Sequence, residues 1–505
     1  MEAKKYIELD NNETVPIAEI PFQSEGNFQN TVTELMHNPN CHCVNYFGYK
    51  NEKELNLIMC IADDSTHKIL VFGHMIESDS DQRILSLTKE IFALHIFERE
   101  IHENFGTNIF WHPWLKPVRY AEDRSNKDAL VNDYPFYSID SPELHEVGVG
   151  PIHAGVIEPG HFRFICNGEL VLHLEIQLGW QHRGIEPLML KKKKLLQRNI
   201  LAESITGDTT IGHSTAFVHQ MESLAGIEIS TKIQIERAIA LELERIAVHV
   251  GDLSAMCTDV AYQLGSAVFG ALRTPIINFM QAWCGNRFGK GLIRTGGSHY
   301  PLTKELIDKI EVILEDFESR FNSISDKTFN LTSVYQRFEG IGKLEREQVE
   351  LLGGVGMVAR MSGIERDTRK THPYGAFQTI SVNPATANSG DVWARGTIRR
   401  DEIINSIEII RKLIQQRNIH DESNSPQTTL DLQKNSFSIS LTEGWRGEIC
   451  HCSITDDDGE LKHYKIKDPS MHNWKALELA LRDLEISDFP INNKSFDLSY
   501  CGHDL

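Results

Sequence analysis

Apolar positions with helical spacing dominate the chain from about residue 195 onward. Ile235, Ile239, Leu243, Ile246 and Val250 step by 4, 4, 3 and 4, with Glu236, Arg237, Glu244 and Arg245 off that stripe. Leu306, Ile310, Ile313, Phe317 and Phe321 repeat the pattern, as do Ile403, Ile407, Ile410 and Ile414. Several long helices of this kind predict a bundle-like core. Upstream the period is two. In HFRFICNGELVLHLEIQLG, Asn167-Gly168 is a favoured two-residue hairpin turn. After it, Leu170, Leu172, Leu174, Ile176 and Leu178 alternate with Val171, His173, Glu175 and Gln177, which predicts one buried and one mostly polar face. Near the N-terminus, VNYFGY (44–49), ELNLIMCI (54–61) and HKILVFGH (67–74) read as β-strands at hairpin spacing. A helix is predicted over about 82–104, stopped at Gly106. The last sixty or so residues return to strands (GEICHCSI, HYKIKD), with one more helix near 473–484. The predicted fold is α+β: a small N-terminal α/β domain (1–118), a polar linker (119–148), and a larger, mainly helical domain with peripheral hairpins (149–505).

Composition narrows the class. Over 505 residues, 41% hydrophobic and 24% charged, the chain reads as a globular protein with room for more than one core. A formal charge of −20 argues against nucleic acid as a partner. No 18-residue apolar run and no apolar leader near the N-terminus appear, so a cytoplasmic location is expected. The nine cysteines include no C-x-x-C. Two C-x-C pairs occur, Cys41/Cys43 and Cys450/Cys452, each around a histidine. On a strand either pair could share a face and hold a metal. No further pair lies close by to complete four ligands, which favours buried, unpaired thiols. Lys191–Lys194 could touch anionic lipid, but a solvated helix face is the better explanation. Neither a dinucleotide-binding glycine frame, nor G-x-S-x-G, nor H-E-x-x-H is present.

Four segments concentrate groups capable of chemistry: ITGDTTIGHS (205–214), LGWQHRGIE (178–186), ARMSGIERDTRKTHPYGAF (359–377) and the terminal SFDLSYCGHDL (495–505). Their order carries a resemblance. GPIHAGVIEPGHFRF, LGWQHRGIE, GHSTAFVHQMESLAGIE and LELERIAVHVGDL follow one another, then ARMSGIERDTRKTHPYGAF and GDVWARGTIRRDEI. This series resembles the large subunit of the membrane-bound, energy-converting (group 4, formate hydrogenlyase-type) [NiFe]-hydrogenases. The same superfamily includes the 49-kDa-type subunit of respiratory complex I. FEREIHENFGTNIFWHPWLKPVRY (97–120) resembles the 30-kDa-type complex I subunit, fused ahead of the large subunit.

The resemblance implies both a frame and a loss. Relatives with nickel hold it through two C-x-x-C pairs, because soft thiolates bind nickel and iron where hydroxyls do not. Here the first pair falls on Thr206 and Thr209, and the second on Ser499 and Gly502 with Cys501 between them. No nickel and no other metal is therefore expected in this chain. Thr209 or Thr210 would instead cap the following helix. The complex I quinone pocket uses a histidine and a tyrosine whose places fall on Pro159 and Gly207, although His153 remains. The resemblance also implies a candidate pocket of Thr206, Asp208, Thr209, His213, Glu186, Arg360, Asp367, Ser499 and Cys501, with Tyr374 retained nearby. His182, Arg183 and Arg369 would face the iron–sulfur cluster of a small partner subunit, and Glu186 and Asp367 would relay protons if partly buried. The implied function is a subunit of a hydrogenase-like or NADH:quinone-oxidoreductase-like complex. It would transfer electrons, with a quinone as a candidate acceptor, coupled to ion translocation. It would lie on the inner face of the cell membrane, held by the iron–sulfur subunit and by antiporter-like membrane subunits. A non-catalytic scaffold or coupling subunit is the alternative reading. An active [NiFe] hydrogenase would require the missing thiolates.

Overall fold

Continuous apolar runs near the N-terminus become one sheet buried on both sides. A computed structural model describes residues 4–51, 54–77, 83–153, 157–417 and 425–505. Strands β1 (Ile7–Leu9), β3 (Cys41–Asn51), β4 (Glu54–Asp63) and β5 (Lys68–Glu77) pair antiparallel in the order β1-β5-β4-β3. Between β1 and β3 lies β2 (Thr14–Pro16), which joins a different sheet. One face of this sheet packs under α1 (His95–Phe105) through Leu57, Met59, Phe72 and Phe97. The predicted helix start at about residue 82 is corrected: Arg83–Leu85 pairs in parallel with Asn108–Phe110 as a strand, and the helix begins at His95. Gly106 does end it, in the left-handed conformation at φ 74°.

The hairpin at Asn167-Gly168 forms as β6 (His161–Asn167) and β7 (Leu170–Gln177). Its predicted alternation holds for Leu174, Ile176 and Leu178, which are buried, but not before them. Ile165 pairs with His173 and Cys166 with Val171, so Leu172 is the extra residue of a bulge. The bulge flips the parity: Val171 is buried while Leu170 and Leu172 are exposed. Glu175 and Gln177 are also buried, because the 119–148 segment wraps that face and supplies Tyr137 N–H and the Val131 carbonyl as partners. The end of the predicted linker is itself a strand, His145–Val149, paired with β6.

The helical part begins at α2 (Ile185–Lys191) and continues through α3 (Thr210–Ala225), α4 (Thr231–Asp259), α5 (Gln263–Cys284), α6 (Lys304–Phe329) and α7 (Val392–Gln416). Helix α4 lies at the centre, against α3, α5 and α7. Glu236, Arg237, Glu244 and Arg245 therefore do not face solvent; all four are buried, each against an opposite charge or helix N–H groups. Strands β8 (Ser436–Gly444), β9 (Gly447–Thr455) and β10 (Leu461–Lys467) follow, then α8 (Ser470–Ala480). Their sheet runs β10-β9-β8-β2, so an N-terminal strand completes the C-terminal sheet. The two sheets share a core in which Val44, Ile58, Cys60 and Val71 meet Phe437, Ile439, Cys450 and Cys452. The 1–118 and 149–505 segments are thus interlocked. Among the described residues, no helix is long and apolar enough to cross a membrane.

Candidate functional site

Helix α3 starts at Thr210, and the loop before it is packed. Thr206 and Thr210 are fully buried, Thr209 nearly so, and only Gly207 and Asp208 reach the surface. Thr209 occupies the N-cap position but its hydroxyl makes no capping bond. Glu244, reaching across from α4, caps the helix instead: Ile211 N–H and Gly212 N–H donate to its two oxygens at 2.7 and 3.1 Å. Burial pushes the Glu244 carboxyl up to about 8, against the pull of those two bonds, and nearby Asp208 adds to the rise.

The loop is closed from the β8–β9 turn. Arg446 donates to both oxygens of Asp208, at 2.8 and 2.7 Å, and its guanidinium lies 3.9 Å from the centre of the Trp445 ring. Trp445 Nε1 in turn donates to the Asp208 carbonyl at 2.9 Å. Thr206 Oγ1 is left buried without a hydrogen-bond partner.

Inside this lid, His213 uses both ring nitrogens. Its Nε2 lies 3.0 Å from Asp468 Oδ2 and its Nδ1 lies 3.1 Å from Nε2 of His451. His451 Nδ1 lies 2.8 Å from the Tyr464 hydroxyl. Ser499 caps the last helical turn by accepting from Gly502 N–H, and its hydroxyl is 3.4 Å from Cys501 Sγ. Burial, with Glu158 nearby, pushes the Cys501 thiol up to about 12, which leaves it protonated and a poor ligand. A Cβ at Gly502 would stand 2.6 Å from Asp468 Cγ.

Arg183 ties this region together. Its guanidinium donates to the carbonyls of Ser204, Ile205 and Cys501. His182 Nδ1 sits 2.7 Å from the Asp504 carbonyl, and Glu186 accepts from Ile466 N–H and pairs with Lys465 at 3.1 Å. His182 and Glu186 line a cavity of about 390 Å³ that lies beside α1, α2 and β10 and also meets Tyr464, Lys465 and Arg119.

Arg360, Asp367 and Arg369 assemble elsewhere. Arg360 donates to Glu443 at 2.8 Å and to Glu402 at 2.5 Å. Arg369 pairs with Asp367 at 2.6 Å and with Glu242 at 2.9 Å, and Arg245 bridges Glu242 and Glu402 at 3.3 and 3.6 Å. Three guanidinium groups thus meet four carboxyls, with His249 2.6 Å from Glu402. Burial opposes the charge on Glu402, but Arg360, His249 and Arg245 hold its pKa well below the ordinary range. Glu443 goes the other way, raised by burial and by Asp367. Tyr374 accepts from Glu443 N–H at 3.0 Å. Arg369 is 3% exposed and committed to this interior network rather than to an outward face.

Of the residues picked out in the sequence, the structure therefore gathers three groups. Thr206, Asp208, Thr209, His213, Ser499 and Cys501 surround the closed loop. Glu186, His182 and Arg183 link that loop to the cavity, and Arg360, Asp367 and Arg369 form the network. The β8–β9 turn joins the first and third, since Glu443 belongs to the network and Arg446 to the loop. Glu244, Arg446, His451, Tyr464 and Asp468 went unrecognised in the sequence. Only His451 had a local signal, its place inside C-x-C. All nine cysteines are free and buried, and Asn45 donates to Cys450 and Cys452 at 3.7 and 3.8 Å. Among the described residues, no group of three or more His, Cys, Asp or Glu side chains is arranged to hold a metal ion. Lys191–Lys194 is largely solvated, and Lys193 pairs with Glu460.

Residues 265–441 match the family described as respiratory-chain NADH dehydrogenase, 49 Kd subunit. Formate hydrogenlyase subunit 5 of Escherichia coli (strain K12) is 27% identical over 400 residues, covering 77% of this chain and 69% of that protein. Membrane-bound hydrogenase subunit alpha of Pyrococcus furiosus is 24% identical over 366 residues, 70% of this chain and 85% of its own. The C/D fusion protein of the NADH-quinone oxidoreductase of Phocaeicola vulgatus is 23% identical over 470 residues, 86% of this chain and 90% of its own. The matched stretch takes in Arg360, Asp367, Arg369 and Glu402 of the network, and these similarities indicate a hydrogenase- or complex I-type subunit.

Proposed function

We propose that this hydrogenase- and complex I-type subunit works without a nickel–iron centre, as a coupling body within a membrane-associated redox complex. The closed loop carries the reading. The four family thiolate positions hold two threonines, a serine and a glycine, and Asp468 occupies the space a side chain at 502 would need. Arg446 fills the mouth through its pair with Asp208. A hydroxyl-lined, arginine-closed loop does not fit nickel. In this reading the chain docks on a small iron–sulfur subunit and, through it, on antiporter-like membrane subunits at the inner face of the membrane. The interior network transmits displacement between helices α4 and α7 and the β8–β9 turn.

A second reading, electron transfer to a quinone at the loop, is favoured by one observation: the buried Thr206 hydroxyl has no partner. One preparation separates the two. The complex is purified in mild detergent and assayed for iron, nickel and bound quinone. The coupling reading expects iron from the partner subunit, no stoichiometric nickel, and quinone content unchanged by Arg446→Met. Stoichiometric nickel on this chain overturns it, and quinone lost in the variant favours the second reading.

A further inference from the structure

We propose that Asp468, His213, His451 and Tyr464 form a proton relay joining the closed loop to the cavity beside α1, α2 and β10. The three links measure 3.0, 3.1 and 2.8 Å, and all four side chains are 0–1% exposed. Each imidazole spends both nitrogens on relay members. The four groups come from separate places, namely α3, β9, β10 and the residue just after β10, and sheet pairing of β9 with β10 fixes three of them. Tyr464 lines the cavity together with His182, Glu186 and Lys465. At the other end, Asp468 stands against Gly502, one of the family's thiolate positions. The relay therefore ends where the relatives with nickel would place a metal ligand.

The polarity follows from the acceptor end. Burial disfavours an ionised Asp468, but the bond from His213, the charge of Arg446 and the Ser470 N–H outweigh it and hold its pKa below the ordinary value. Asp468 thus accepts, and Nε2 of His213 donates. In the tautomer with its proton on Nε2, His213 presents Nδ1 as an acceptor to Nε2–H of His451. Burial pushes His451 well below its ordinary pKa, so it is neutral, and its Nδ1 accepts from the Tyr464 hydroxyl. Every donor points toward Asp468. A proton reaching Tyr464 from the cavity releases the phenolic proton to His451, whose Nε2 proton passes to His213, whose Nε2 proton passes to Asp468. One proton enters, one O–H forms on Asp468, both imidazoles end as the opposite tautomer, and no electron moves. The charged and titratable groups facing the relay are Arg446 from the β8–β9 turn at Asp468, and Glu186 and Arg198 from the flanking helices with Cys450 and Cys452 of β9 at Tyr464.

The use of this relay rests on the coupling reading, but its existence does not. The test is proton-detected solid-state NMR of the purified complex with isotope-labelled histidine in this chain. Both rings are expected as Nε2–H tautomers, with ring N–H protons exchanging into heavy water faster than the buried backbone amides of β9. Tyr464→Phe removes one hydroxyl and should abolish that fast exchange at both histidines. His451→Gln, the second variant, should abolish it at His213 while the α3 amides keep their wild-type exchange. Exchange no faster than the amides, or unchanged in Tyr464→Phe, overturns the relay. Repeating the spectrum after dithionite reduction addresses the coupling reading separately. A switch of tautomer supports both, whereas fixed tautomers with fast exchange overturn the coupling and leave the relay standing.

Discussion

The interior network and the closed loop solve the burial of polar groups in opposite ways. In the network, Arg245, Arg360 and Arg369 face Glu242, Asp367, Glu402 and Glu443, and each of these charges has at least one opposite charge in contact. Along the line from Asp468 to Tyr464 the groups are one carboxyl, two imidazoles and a phenol. A dense set of fixed charges is rigid, because moving any member strands another in a low-dielectric interior. A line of neutral hydrogen-bonding groups can reverse its bonds without separating charge across the core.

The contrast is most exposed to challenge inside the network. Arg360→Ala strands Glu402 and Glu443, and the expected loss of stability is about 3–5 kcal/mol, read from the denaturant midpoint. A loss under roughly 1 kcal/mol, the scale of surface pairs, would mean that the network is not closed. Glu244→Gln probes the border between the two regions. Its pKa in the fold, about 8, lies above the ordinary carboxyl value, so the folded protein holds this proton longer than the unfolded chain. Stability from this group is full at acidic pH and falls as pH rises toward about 8, by about 1.4 kcal/mol per pH unit at most. Glutamine at 244 should flatten that slope in a pH series of thermal unfolding; an unchanged slope assigns it to another group. Gly502→Cys approaches the contrast from the loop side. The new Cβ would press on Asp468, so about 1–3 kcal/mol should be lost. Restoring cysteine at 206, 209, 499 and 502 together should still bind no nickel in a metal-uptake assay unless Asp468 is also made small. The mildest change lies outside both regions: Ser230→Ala removes the cap of α4 from Ile233 N–H and should cost about 1 kcal/mol.

Periodicity made the helical frame legible. The stripes predicted α4, α6 and α7, and Asn167-Gly168 gave its hairpin. The same periodicity misplaced Glu236, Arg237, Glu244 and Arg245, because a helix enclosed by three others has no solvent face to receive its charges. The cap of α3 was sought in its own loop, at Thr209 or Thr210, yet comes from Glu244, 33 residues away. A one-residue bulge at Leu172 reversed the expected face for Leu170–Leu172, while Leu174 and Ile176 are buried as expected. The C-x-C at Cys450 and Cys452 drew attention to its sulfurs, while the histidine between them joins His213 to Tyr464. Contacts such as His213 to His451 span 238 residues, and no local pattern encodes them.

The pairing of β2 with β8 sets a timetable for making the protein. Asn11, just ahead of β2, donates to the Leu441 carbonyl at 3.0 Å and accepts from its N–H at 2.8 Å, across 430 residues of sequence. A ribosome adding about 5–20 residues per second needs on the order of half a minute or more to deliver that partner. Throughout that interval the first sheet exists with its Val44, Ile58 and Val71 face uncovered, a surface that a chaperone or a misplaced neighbour can occupy first. Slower elongation over the second half of the message therefore lengthens the hazard rather than easing it, and the yield of this subunit should depend on how quickly its last strands leave the ribosome.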